Sequence, residues 1–231
     1  MLPPITLSSV CYLLGYLAGL GAFVWLARRR RLATEGVMAL LAAGLLGGLV
    51  FANIAQWVST DEAGKTILGA VAGGYLTVAL FKRRLGIKRP LGDLFALAMS
   101  AGEAVGRWGC FFGGCCYGKP SHVLWAVWQH GAWRYPTQIY LSLTSFAIFL
   151  LLLRLELRRP LPENGLFYVQ GALFCISRFV IEFFREGSPP IFGLTLAQWA
   201  CIAGLLFFLA RLLLLPKPNA QPTLAPEGAG H

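Results

Sequence analysis

The chain has 231 residues, of which 57% are hydrophobic and only 13% charged, with a mean hydropathy of +0.64. A water-soluble surface cannot be built from that composition, which excludes an ordinary soluble domain. The 20 basic and 10 acidic residues leave a formal net charge of +10, a balance that would point to nucleic acid if the charges did not fall between apolar runs.

A helix crossing the hydrocarbon core of roughly 30 Å needs about 20 apolar residues. Long apolar runs predict helices over 9–27, 36–58, 66–81, 91–112, 136–153, 164–184 and 191–215. They are too long and uniform for strands, and alternation with period two is missing, so an outer-membrane barrel is not expected. The expected fold is an all-α membrane protein, a bundle of seven transmembrane helices. The first run is expected to be retained, because its positive charge follows the apolar stretch and no small-residue cleavage pattern accompanies it. Residues 1–215 read as a single polytopic membrane domain, with a short amphipathic outer segment near 119–135. The Pro-, Ala- and Gly-rich stretch 216–231 reads as a disordered tail.

Lys and Arg set the direction. Alternate loops hold Arg28 to Arg31, then Lys82, Arg83, Arg84, Lys88 and Arg89, then Arg154, Arg158 and Arg159, then Arg211 and Lys217, which is 14 of the 20 basic residues. The opposite loops hold 4: Lys65, Lys119, Arg134 and Arg185. That bias predicts an N-terminus outside and a C-terminus in the cytoplasm, and it explains the positive net charge as a topology signal. Glycines four apart, Gly15 with Gly19, Gly44 with Gly48, Gly69 with Gly73 and Gly102 with Gly106, predict close helix approach and carry no chemistry.

The last two basic residues, Arg107 and Arg178, lie inside apolar runs. A charge near the bilayer centre costs about 2.5–3.5 kcal/mol on insertion scales, so each needs a reason. Glu103 lies four residues before Arg107 and Glu182 four after Arg178, which puts each pair on one helix face. One reading is structural ion pairs between helices. The other is an anion site, since a guanidinium offers a planar fork to phosphate oxygens. With Arg185 one turn further out, three arginines exceed two glutamates by one charge, which favours an anionic ligand.

The strongest local signal is the segment from Gly106 to Gly118, which holds Arg107, Gly109, Cys110, Gly113, Gly114, Cys115 and Cys116. Its glycines predict that the fourth helix breaks here and frees backbone N–H groups beside Arg107. Cys110, Cys115 and Cys116 permit several readings. As zinc ligands they lack a convincing fourth partner, with only His122 or His130 near. They can also be a redox pair, a nucleophile or proton acceptor activated by Arg107, or packing residues. Cys11, Cys175 and Cys201 read as inert fillers. Trp125, Trp128, Trp133 and Tyr135 place residues 119–135 in the outer interface, where His122 and His130 read as solvated surface residues.

The order Gly106-Arg107-x-Gly109-x-Phe111, then Tyr135-Pro136-Thr137-Gln138-Ile139-Tyr140, then Arg178-Phe179-Val180-Ile181-Glu182-Phe183-Phe184-Arg185, resembles the prolipoprotein diacylglyceryl transferase family. The resemblance covers roughly Thr66 to the last helix. It implies an enzyme of the bacterial inner membrane that moves the diacylglyceryl group of phosphatidylglycerol onto the cysteine thiol of a prolipoprotein. It implies that Arg107, Arg178 and Arg185 serve the phospholipid head group; Glu103 and Glu182 are then expected to hold the arginines, and Gly109, Cys110, Gln138 and Tyr140 to line the substrate site. No cofactor or metal is implied. The chain departs from the family pattern at Leu68, which stands for a histidine, at Cys110 for an asparagine, at Cys115 for an acidic residue, and at Tyr135 for a histidine. The acceptor thiol is then activated by Cys115, Cys116 or Tyr135, or the chain uses another thiol acceptor. A membrane thiol oxidoreductase and a non-catalytic lipid-binding protein stand as alternatives.

Overall fold

The structure is a computed structural model that describes residues 4–32, 35–59, 67–87, 89–158, 161–187 and 191–215. The tail expected over 216–231 lies outside the described residues. Among those described are seven helices: α1 Pro4–Arg29, α2 Glu35–Ser59, α3 Ile67–Arg84, α4 Gly92–Phe112, α5 Thr137–Arg158, α6 Gly165–Glu182 and α7 Leu196–Leu213. A two-stranded hairpin, β1 Val127–Gln129 and β2 Ala132–Arg134, stands between α4 and α5, so the all-α expectation is corrected there. Four helices, α1, α5, α6 and α7, are long and apolar enough to cross a membrane. The described part of α2 is a shorter apolar helix, and α4 carries Asp93, Glu103 and Arg107.

The helices form two compact units. One holds α2 and α3, packed through their glycines. A Cβ on Gly73 would fall 2.1 Å from the Cβ of Phe51 and 2.8 Å from the carbonyl oxygen of Gly47, so the backbones approach as the glycine spacing predicts.

The other unit holds the first part of α1 together with α4, the hairpin, α5, α6 and α7. Here α1 and α4 meet at glycine on both sides: a Cβ on Gly15 would lie 2.9 Å from the Gly102 oxygen and the Gly106 Cα. Ser8 Oγ donates to the Gly109 carbonyl at 2.8 Å, further along the same contact. The start of α4 and the start of α6 satisfy each other. Gly92 N–H donates to Asn164 Oδ1 at 3.1 Å, and Phe167 N–H donates to Asp93 Oδ1 at 3.1 Å, which fills donors a helix N-terminus leaves open. Leu94, Leu97, Leu141, Leu152 and Leu166 are buried in the core of this unit. The helix α7 starts at Leu196, five residues later than its apolar run, because Thr195 and Gln198 form a capping box and Ile191 bridges Leu194.

In the hairpin, Val127 pairs with Arg134 and Gln129 with Ala132. His130 and Gly131, with φ of 50° and 74°, make the tight turn that suits the twist of two strands. Trp128 and Trp133 meet edge to face across the strands with centroids 5.6 Å apart, and both are exposed. The opposite anchor is Arg134, which is buried and pairs with Glu186, donates to the carbonyls of Gln129 and Gly118, and lies over the Tyr117 ring.

Candidate active site

Glycine-rich α4 stays helical through Gly106, Arg107 and Gly109 and ends only after Phe112. The expected break beside Arg107 is therefore displaced, and its free N–H groups do not form. Those of Gly113, Gly114 and Cys115 donate to the carbonyls of Gly109, Phe111 and Cys110. Glycine is required at 109 for a different reason, since a Cβ would meet the Tyr12 ring at 2.8 Å. The turn follows at Gly114, φ 69°, and again at Cys116, φ 58°.

The chain leaving this turn pairs with the end of α6. Lys119 N–H donates to the Phe184 carbonyl at 2.8 Å, Glu186 N–H to that of Tyr117 at 3.2 Å, and Gly118 bridges Arg185. A Cβ at Gly118 would fall 2.3 Å from the Tyr135 carbonyl oxygen, so only glycine admits this three-way contact. The pairing delivers Arg185 to the cysteines: its Nη2 donates to Cys116 Sγ at 3.4 Å.

Both intrahelical ion pairs form. Arg107 donates from Nε and Nη2 to Glu103 Oε1 at 2.9 and 2.5 Å, and Ser145 of α5 donates to the other oxygen at 2.9 Å. Arg178 Nη2 lies 2.8 Å from Glu182 Oε2, and Arg185 Nη1 lies 3.7 Å from the same oxygen. Thr195 donates to Glu182 Oε1 at 3.3 Å. Glu182 is almost wholly buried, and the Arg107 and Arg178 side chains are only 13% and 14% exposed. Because α4 packs on α6, the like charges of Arg185 and Arg107 act on Arg178. Three guanidiniums thus share two carboxylates, and the Nε of Arg185 is buried with no hydrogen-bond partner among the described residues. Such an arrangement can hold an anion with several oxygens.

The sulphur atoms of Cys110, Cys115 and Cys116 all lie within 4.8 Å of one another. Tyr12 Oη donates to Cys110 Sγ at 3.3 Å and lies 3.9 Å from Cys115 Sγ. Hydrogen bonds with Cys110 and Cys116 push the Cys115 thiol above the ordinary thiol range. Those from Cys110 and Cys115 hold the Cys116 thiol well below it, with the Arg185 and Arg107 charges assisting against burial. Cys175 and Cys201 are buried on α6 and α7 and are not among the three converging sulphurs.

The remaining sequence-predicted residues frame the site. Gln138 is buried and donates from Nε2 to the Cys115 carbonyl at 2.9 Å and to Gln129 Oε1 at 3.2 Å, which leaves its Oε1 unpartnered. Tyr140 accepts a hydrogen bond from Trp125 Nε1 at 2.7 Å, and the Tyr135 ring packs on Phe184. His130 bonds the Gly114 carbonyl at 2.6 Å instead of facing solvent freely. Leu68 lies in the first turn of α3, and its side chain is outside what is described. Tyr12, Ser145 and Thr195 are site residues the sequence reading missed. Ser145 had a signal: Thr137, Gln138, Ser142 and Ser145 recur at helical spacing on one buried face of an apolar helix.

Residues 3–214 match the family model described as prolipoprotein diacylglyceryl transferase. Among curated relatives, the phosphatidylglycerol–prolipoprotein diacylglyceryl transferase 1 of Streptomyces coelicolor is 29% identical over 95% of this chain and 71% of its own length. The Streptomyces avermitilis enzyme of the same name is 30% identical over 95% of this chain and 72% of its own. A Nostoc sp. enzyme of that name is 28% identical over 92% of this chain and 87% of its own. With four helices apolar enough to span, the chain is a multi-pass membrane protein and belongs to the prolipoprotein diacylglyceryl transferase family.

Proposed function

We propose that this chain transfers the diacylglyceryl group of phosphatidylglycerol to the cysteine thiol of a prolipoprotein. The observation that carries the reading is the surplus guanidinium: Arg107, Arg178 and Arg185 gather around Glu103 and Glu182 where α4 packs on α6. A phosphodiester placed there supplies the missing negative charge. Arg107 and Arg178 bind its oxygens and stabilise the charge that grows on the departing glycerol phosphate. One such donor is worth about 100–1000-fold in rate. Glu103 and Glu182 fix the two forks, Arg185 and the free Oε1 of Gln138 complete the polar lining, and Gly109, Cys110 and Tyr140 border it. Cys115, Cys116 and Tyr135 lie toward the acceptor thiol. Acceptors other than a prolipoprotein cysteine would have to present a thiol at the same place.

Seven spans with the N-terminus outside agree with the basic residues that close α1, α3, α5 and α7. In that reading residues 1–215 are the membrane-embedded part, 216–231 a cytoplasmic tail, the hairpin lies at the outer interface, and the membrane is the bacterial inner membrane. The deciding experiment reconstitutes the full chain in phosphatidylglycerol nanodiscs with a lipobox peptide. A diacylglyceryl mass gain on the peptide, with glycerol phosphate released, is expected from the wild type and lost in Arg107→Ala and Arg178→Ala. A fully active Arg107→Ala, or lipid bound but never consumed, overturns the reading.

A further inference from the structure

We propose that Cys110, Cys115 and Cys116 bind a zinc ion through three thiolates, and that its open fourth position takes the acceptor thiol; the second half rests on the transferase reading above.

The backbone is shaped for convergence. Cys110 sits in the last turn of α4, Cys115 N–H closes back onto its carbonyl at 3.1 Å, and Cys116 adopts φ 58°, a conformation disfavoured for a side chain with a Cβ. Neighbouring side chains ordinarily diverge. Here the turn brings both sulphurs to Cys110, with all three inside 4.8 Å. Zinc holds thiolates at about 2.3 Å in a tetrahedron, which sets sulphurs about 3.8 Å apart, so small side-chain rotations complete the site. The lack of a convincing fourth partner in the sequence argued against a metal, but a site that keeps three protein ligands does not require one.

The surroundings suit bound thiolates. Arg185 Nη2 donates to Cys116 Sγ at 3.4 Å and Tyr12 Oη to Cys110 Sγ at 3.3 Å. Three thiolates on a zinc dication leave one negative charge in place of the three of bare thiolates, so bound metal lowers the negative charge beside the arginines and preserves their attraction for an anion. Among the described residues no fourth His, Cys, Asp or Glu joins the three. Structural zinc sites close with four protein ligands, whereas sites that act on a substrate keep three and leave a position open.

The reaction needs what such a position supplies. The carboxylates nearby are committed, Glu103 to Arg107 and Glu182 to Arg178, and His130 is bonded to a backbone carbonyl. Neither carboxylate is free to deprotonate an incoming thiol, and His130 engages the Gly114 carbonyl through one ring nitrogen, Nε2. A thiol that coordinates zinc releases its proton to water. Its sulphur electron pair then attacks the glycerol methylene bonded to the phosphate oxygen. A C–S bond forms, the C–O bond breaks, and its electrons leave on glycerol phosphate held by the arginines. Zinc stays divalent, and nothing is oxidised or reduced.

The test measures metal on the full chain purified under reducing conditions into phosphatidylglycerol nanodiscs. One equivalent of zinc is expected by elemental mass spectrometry, lost in Cys110→Ser, Cys115→Ser and Cys116→Ser. Because those variants can fail to fold, wild type is also stripped with a chelator and reloaded with cobalt, which should show thiolate charge-transfer bands. Trace zinc in a chain with three free thiols, no such bands, or a disulfide among the three overturns the site. The stripped wild type should bind phosphatidylglycerol yet lose transfer to the lipobox peptide and regain it with zinc. Unchanged transfer after stripping overturns the activation of the thiol. Zinc bound with no transfer at any loading sinks the transferase reading and upholds the metal site.

Discussion

Ser145 on α5 donates to Oε2 of Glu103 on α4 at 2.9 Å, while Oε1 of that carboxylate accepts from Arg107. Glu103 is therefore held from both sides, and the two bonds are unequal. Glu103→Ala leaves a guanidinium uncompensated in an apolar surround and is expected to cost about 3–5 kcal/mol. Ser145→Ala removes one neutral donor from a carboxylate and should cost about 1–2 kcal/mol. Unfolding midpoints in detergent should fall in that order; equal losses would refute the arrangement.

Arg178 tests the fork against the charge. Its Nη2 contacts Glu182, and its side chain is largely buried. Arg178→Lys keeps a cation but not a planar pair of donors, so transfer should drop about 100-fold, chiefly in kcat. Steady-state kinetics with varied phosphatidylglycerol would show it. A lysine variant within a few-fold of wild type would mean that charge alone suffices.

Gly15 and Gly21 lie on the same helix with opposite surroundings. A Cβ on Gly15 meets backbone atoms of α4 at 2.9 Å, and one on Gly21 meets nothing within 4 Å. Gly15→Val should destabilise by about 1–3 kcal/mol through overpacking. Gly21→Ala should leave stability unchanged or raise it by up to about 1 kcal/mol through helix propensity. Thermal unfolding of the pair in one detergent decides this.

Arg134 secures the loop over the site through Glu186, two carbonyls and the Tyr117 ring. Arg134→Ala should make residues 119–135 susceptible to limited proteolysis, and Arg134→Lys should not restore protection, because one ammonium cannot replace the directed donors. Equal cleavage rates in wild type and Arg134→Ala would contradict this.

The helices were legible because apolar length is a strong local signal, and both ion pairs because partners four apart on one helix need no knowledge of tertiary structure. Gly106 and Gly109 misled. Read as helix breakers, both stay within α4, and at Gly109 the missing Cβ admits the Tyr12 ring of α1, so packing overrode propensity. The hairpin lacked an Asn-Gly or Asp-Gly turn, and His130-Gly131 gave only a weak signal. Arg134 counted only as an outer-loop charge, yet Glu186, 52 residues away, lets it be buried. The roles of Tyr12 and of the converging sulphurs depend on contacts across about a hundred residues or on turn angles that composition does not encode.

Arg178 and Glu182 share α6, and Glu103 and Arg107 share α4. Each arginine therefore finds its counter-ion within its own helix, before α4 packs on α6. A bare arginine waiting for a glutamate on a later helix would bear its full transfer cost alone. Pairing within the helix separates local neutralisation from assembly: Arg178 and Arg185 already meet on Glu182 within one stretch of chain, and the packing of α4 on α6 then adds Arg107, which comes with its own carboxylate.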